Sequence, residues 1–176
     1  WKINELFHLT AVFDGAQRAP RAEELYAFGP HVATGTFEIG NDELDKEESI
    51  GGNIGLHFHN GKIDASVSVY RTEYDNFIYL EGSDLELDEL PVAYWSQTDA
   101  TFTGWEAQLS WDFLENRSGL WTFNALADSV NTSTDGGNNL PRIVPSRLGA
   151  DIAWQLGNWT AGFGLMHVYD QDETAP

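Results

Sequence analysis

The side chains able to bind something are unevenly spread along this chain. Its 176 residues include five histidines and 28 carboxylates but no cysteine. A transition metal would therefore have to be held by imidazole and carboxylate rather than thiolate. His57 and His59 lie two residues apart, which puts both rings on one face of a strand. There they could share a metal or touch another part of the protein. His31 stands alone in a long stretch, residues 18–41, that also holds Pro20, Pro30, Tyr26 and Phe28. Arg18 and Arg21 in that stretch could grip an anionic ligand group or pair with nearby glutamates. His8 and His167 are isolated.

No catalytic constellation accompanies them. Gly-x-Ser-x-Gly, His-Glu-x-x-His and phosphate-cradling glycine loops are all missing, so the chain does not read as an enzyme. Carboxylates are so frequent that two close together say nothing about acid–base chemistry. A formal charge of −19 repels phosphate backbones, which excludes nucleic acid as a partner and favours cations. Much of the acid falls in two links, as Glu38, Asp42, Glu43, Asp45, Glu47 and Glu48, then Glu81, Asp84, Glu86, Asp88 and Glu89. These are either solvated loops or a negative funnel that gathers cations.

The frame that must position these groups reads as all-β. Apolar and polar residues alternate with period two, with little helical periodicity between. Phe7, Leu9, Ala11 and Phe13 share a face, as do Ile54, Leu56 and Phe58, which leaves Asn53, His57 and His59 opposite. The clearest case is 104–113, where Trp105, Ala107, Leu109, Trp111 and Phe113 alternate with Glu106, Gln108, Ser110 and Asp112. Residues 147–156 alternate likewise, and further strands read at about 62–80, 120–130 and 159–169, for about seven in all.

The connections between strands alternate in length. Tight turns at 59–62, 115–119 and 156–158, with Asn60-Gly61 the strongest hairpin signal, separate long links at about 14–49, 81–99 and 131–146. Pro20, Pro30, Pro141 and Pro145 would stiffen those links without secondary structure. In an up-and-down meander, every short turn then falls at one end and every long link at the other. That is the pattern of a transmembrane β-barrel with an apolar outside, a polar lumen, and Trp and Tyr at the interfaces. A soluble all-β module binding cations or sugars through its acidic loops and aromatics is the alternative. About seven strands is an awkward number for a closed barrel, and the last residues, 170–176, form a polar run. The chain therefore reads as part of a longer barrel.

Four stretches carry a family resemblance. Arg18-Ala19-Pro20 with Glu24-Leu25-Tyr26-Ala27, then Gly40-Asn41-Asp42-Glu43-Leu44 with Lys46-Glu47-Glu48-Ser49, resemble a paired signature of TonB-dependent outer-membrane receptors. Gly104-Trp105-Glu106 and Leu140-Pro141-Arg142-Ile143-Val144-Pro145-Ser146-Arg147 extend the likeness over most of the chain. The resemblance implies a bacterial outer-membrane receptor with a 22-stranded barrel, of which residues 1–176 would be a C-terminal-half segment. The plug domain, the terminal strands and the segment that meets the TonB energy-coupling complex would lie outside it. It implies contact with outer-membrane lipid, no resident cofactor, and a transported ligand.

A histidine between the paired boxes is typical of the family's haem receptors, and His31 stands there. Gln17 replaces the Phe of the haem pattern, however, and Asp42-Glu43 replace its Pro-Asn. The run 24–34 and the Leu140-Pro141-Arg142 box look more like the zinc-uptake branch. By this resemblance His31, Glu38 and Glu24 would ligate zinc or a zinc complex, with Tyr26, Phe28 and Arg18 beside the ligand and His57 and His59 a further metal candidate. Carboxylate co-ligands suit zinc, whereas a haem slot would use Tyr26, Phe28 and Phe37 as its wall.

Overall fold

The computed structural model describes residues 1–137 and 139–171, so the end of the polar run lies outside the described residues. Seven strands form an antiparallel meander: β1 (Phe7–Arg18), β4 (Glu47–His59), β5 (Ile63–Leu87), β6 (Leu90–Asn116), β7 (Gly119–Thr134), β8 (Arg147–Leu156) and β9 (Trp159–Val168). Between β1 and β4 lie a short helix α1 (Ala22–Tyr26) and a small hairpin, β2 (Phe28–His31) and β3 (Thr36–Ile39). The expected count of about seven strands and the antiparallel order are those of the meander, while β2 and β3 are additional strands and β3 pairs in parallel.

Strand register explains why the alternation was so clean. Phe7, Phe58, Ala65, Leu109, Ala125, Ala150 and Leu165 form one continuous row across all seven strands. The next row on that face runs Leu9, Leu56, Val67, Ala107, Ala127, Leu148 and His167. The opposite face carries His8, His57, Ser66 and Gln108 in one row, then Thr10, Ser68, Glu106, Asp128 and Arg147 in another. A one-residue slip anywhere would exchange the two faces, so the pattern itself pins the register. The apolar face is bare: Phe13 is 77% exposed, Phe163 72% and Leu165 71%. A patch this large is tolerable against hydrocarbon, not against water. At the short-turn end the rings of Trp121 and Trp154 lie 6.3 Å apart, tilted by 50°, and Trp154 Nε1 donates to Ser118 O at 2.7 Å. Such rings suit the membrane–water interface.

The link expected at 81–99 is instead a continuation of strand. β5 has 25 residues and β6 27, against roughly 9–11 needed to span a bilayer. The excess carries the hairpin on the order of 50 Å past the apolar rows. Where it leaves the wall the register shifts between Tyr74 and Phe77, with Asn76 at φ 57° and its N–H held by Asp99 Oδ1 at 2.9 Å. Tyr74, Phe77 and Phe102 meet there edge to face or tilted, 5.1–5.2 Å apart. The hairpin closes between Leu87 and Leu90 on a two-residue turn, Asp88-Glu89, with both φ positive.

The link at 14–49 is shorter than expected and is not structureless. Pro20 precedes α1 and Pro30 sits inside β2, so these prolines edge secondary structure rather than replace it. β7 leaves β6 at Ala100–Thr134, and above that point β3 takes the vacated edge, pairing in parallel with Val92, Ala93 and Tyr94. The buried apolar side chains Phe37, Leu44, Ile78, Leu80, Val92, Ala93, Ala100 and Leu140 all belong to this upper part.

Candidate functional site

The upper part is organised around one guanidinium. Arg18 Nη1 donates to both oxygens of Glu24 at 2.9 and 2.8 Å, while Nε and Nη2 donate to Glu47 at 3.3 and 3.0 Å. Glu24 is buried and also accepts the Arg21 backbone N–H at 2.7 Å, and Glu47 accepts the Ile78 N–H at 3.0 Å. One side chain thus ties β1, α1, β4 and β5. The Glu47 hydrogen bond, and after it the bond to Glu24, raise the Arg18 pKa above its ordinary value against the opposing effect of burial. The second family box docks on the first: Gly40 N–H donates to Ala27 O at 2.7 Å and Asn41 N–H to Glu24 O at 2.9 Å. A Cβ on Gly40 would lie 2.6 Å from the Leu25 backbone, which is why glycine stands there. Arg18 and Glu24, expected at the ligand, are therefore engaged with each other as the centre of a packing unit. Arg21 is likewise turned to Glu23, at 3.6 Å.

His31 and Glu38, by contrast, are brought together. The β2–β3 hairpin sets His31 opposite Thr36 and Gly29 opposite Glu38. His31 Nδ1 lies 3.3 Å from Glu38 Oε1 and 3.2 Å from Thr34 Oγ1, and Thr34 Oγ1 donates to Glu38 Oε1 at 2.8 Å. The Glu38 side chain is 7% exposed and that of His31 55%. An imidazole whose Nδ1–H faces a carboxylate keeps the Nε2 lone pair for a ligand, and the carboxylate fixes tautomer and ring orientation.

The pair lines a cleft of about 510 Å³ whose other walls include Phe28, Trp95 and Arg142. Phe28 and Tyr26 are exposed, at 76% and 71%, and Phe28 rests edge-on against Phe37 at 5.3 Å. Trp95 and Arg142 were not foreseen as site residues. Trp95 falls in the stretch taken for a loop, and Arg142 drew notice only inside its family box.

His57 and His59 do share the polar face, as their spacing requires, but each has its own neighbour. His57 Nε2 is 3.4 Å from Thr10 Oγ1, and His59 Nδ1 is 2.5 Å from Asp64 Oδ1. Both border a hollow of about 700 Å³ on the wall. Among the described residues no three metal-ligating side chains come together, here or beside His31.

The family model for the TonB dependent receptor-like β-barrel matches residues 1–176. The chain belongs to the TonB-dependent receptor family. Members of this family are bacterial outer-membrane proteins and transporters rather than enzymes, which gives the bare apolar rows their solvent. Solved receptor structures share the fold. The copper transporter OprC superposes with a TM-score of 0.82 at 20% identity, over 99% of this chain and 26% of that one. The siderophore receptor PirA from Acinetobacter baumannii gives 0.64 at 19% identity, over 94% and 27%. The FrpB iron transporter from Neisseria meningitidis gives 0.62 at 15% identity, over 96% and 25%. The receptor chain thus spans about a quarter of the length of the structures it matches.

Proposed function

We propose that this chain supplies barrel wall and outer ligand-binding structure to a receptor that imports zinc in the form of a zinc complex. In the full protein a plug domain and further strands, outside these residues, would complete the barrel and meet the TonB energy-coupling complex. The observation that carries this reading is the His31–Glu38 pair at the mouth of an open cleft. Its geometry favours a single direct bond from His31 Nε2, with Glu38 holding the ring. Zinc is usually four-coordinate, and three metal-ligating groups are not gathered among the described residues, so an incoming complex would bring the remaining donors. The solved relatives include a copper transporter and siderophore receptors, which is consistent with metal cargo without specifying zinc.

Haem is the second reading. The exposed ring of Phe28, which lines the cleft with His31, favours it, because a flat apolar macrocycle would cover it. Elemental analysis and an absorption scan on one preparation of the intact receptor separate the two: zinc without a Soret band is expected. His31→Ala in the full receptor should raise the zinc concentration needed for growth under depletion. Wild-type growth and binding by that variant would remove His31 from the mechanism.

A further inference from the structure

The cleft that holds His31 and Glu38 has a second side of opposite character. Trp95 lines it, and the indole Nε1 is buried with no hydrogen-bond partner among the described residues. A buried N–H without an acceptor is unfavourable and uncommon in folded proteins. Arg142 lines the same cleft, is exposed, and forms no ion pair among the described residues. Lys62 and Arg117, in the tight turns at the other end, are likewise without an ion pair among the described residues, whereas Arg18, Arg71 and Arg147 each face a carboxylate within 3.0 Å. The backbone at Arg142 adopts φ 62°, the left-handed region that non-glycine residues rarely enter.

We infer that Arg142 and the Trp95 indole form an anion-accepting wall of this site, and that its ligand is a metal complex carrying a carboxylate. The inference rests on the metal-binding role proposed for His31. A bare cation would meet Glu38 favourably and Arg142 unfavourably. A carboxylate-bearing chelate satisfies both sides at once: its metal takes the imidazole, and a free carboxylate oxygen takes the guanidinium fork and the indole N–H. This gives Arg142 the role that sequence reasoning offered to Arg18 and Arg21, which are turned to glutamates.

The test uses the full-length receptor in detergent and two zinc complexes, each with three donor atoms so that one coordination position stays open. Zinc citrate carries a free carboxylate; zinc diethylenetriamine carries none. Wild-type receptor should retain zinc citrate about tenfold more tightly than the amine complex. Arg142→Gln should lose most of that preference while amine-complex retention stays within about twofold, and Arg142→Lys should recover part of it. Trp95→Phe should weaken citrate alone, by about threefold. An Arg142→Gln receptor that treats the two complexes as wild type does, or weakens both equally, overturns the carboxylate inference and leaves the metal site standing. Wild-type retention of both complexes by His31→Ala, or no retention of either by the wild-type receptor, sinks the metal site itself.

Discussion

The wall and the part above it use the same period-two pattern against different solvents. In the wall, rows such as Ile54–Val69–Trp105 face outward and stay exposed. Above the wall, Ile78, Leu80, Val92 and Ala93 are buried, as are Leu44, Leu140 and Phe37 of β3, which pairs along the edge of β6. Lipid supplies the lower region with its apolar surroundings, so one sheet suffices there. Water surrounds the upper region, which therefore has to bury its apolar side chains within the protein, and Phe37 and Leu44 of residues 19–46, the segment that also carries His31 and Glu38, are buried with them.

The sharpest way to break this division is to remove its tie. Arg18→Met would leave Glu24 and Glu47, with side chains 6% and 13% exposed, without their counter-charge. Loss of one partner from a largely buried pair costs about 3–4 kcal/mol. The expected result in the intact receptor is protease sensitivity within residues 19–46 and weakened ligand binding, with the heat resistance of the barrel unchanged. Loss of barrel heat resistance would mean that the wall depends on the part above it.

A matched pair of leucines gives a smaller effect and a more direct comparison. Leu80 is 7% exposed above the wall, and Leu56 is 37% exposed on the lipid row. Leu80→Ala removes protein contacts and leaves a cavity, for about 2–3 kcal/mol. Leu56→Ala exchanges side chain for lipid and should cost about 1 kcal/mol or less. Hydrogen exchange on the two regions in detergent or bilayer reads both. Equal losses would erase the distinction between the two solvents.

The same division decided what the sequence could reveal. The wall was legible because its outer face is uninterrupted, so Ile54, Leu56 and Phe58 by their spacing alone put His57 and His59 on the polar face, where the register has them. The projection was not legible, since the polar run Glu81-Gly82-Ser83-Asp84 interrupts the alternation that marks a strand and leaves only the short Leu85–Leu87 stretch beyond it. Its strands are held by cross-strand pairing that runs on to Leu87 and Leu90, and its buried apolar side chains Ile78, Leu80, Val92 and Ala93 are confined to the part nearest the wall. At the site, His31 and Glu38 are near in sequence and their meeting needed only a hairpin. Arg18 meets Glu47 across 29 residues, a pairing that only the β1–β4 register creates, so its role looked like ligand binding. Trp95 reaches the cleft because β3 lies parallel to β6, a connection that no local pattern announces.

The smallest effect lies at the tip of the projection. Asp88 and Glu89 both have positive φ, at 52° and 64°, in a two-residue turn of the kind that Asn-Gly fits best. Glutamate has no local means of offsetting the left-handed conformation, unlike asparagine or glycine. The double variant Asp88→Asn with Glu89→Gly should therefore stabilise the hairpin by about 0.5–1 kcal/mol, less the entropy that the new glycine gives the unfolded chain. Slower hydrogen exchange is expected in residues 77–98, with no change in β8 and β9. The native pair keeps two carboxylates at the end of the hairpin furthest from the wall. If they gather cations for the cleft, the stabilised variant should also take up cationic zinc diethylenetriamine more slowly at low ionic strength, and the difference should vanish as salt is raised. A difference in uptake that persists at high salt would assign the effect to hairpin shape, and no difference at any salt would leave the acidic tip without a part in capture.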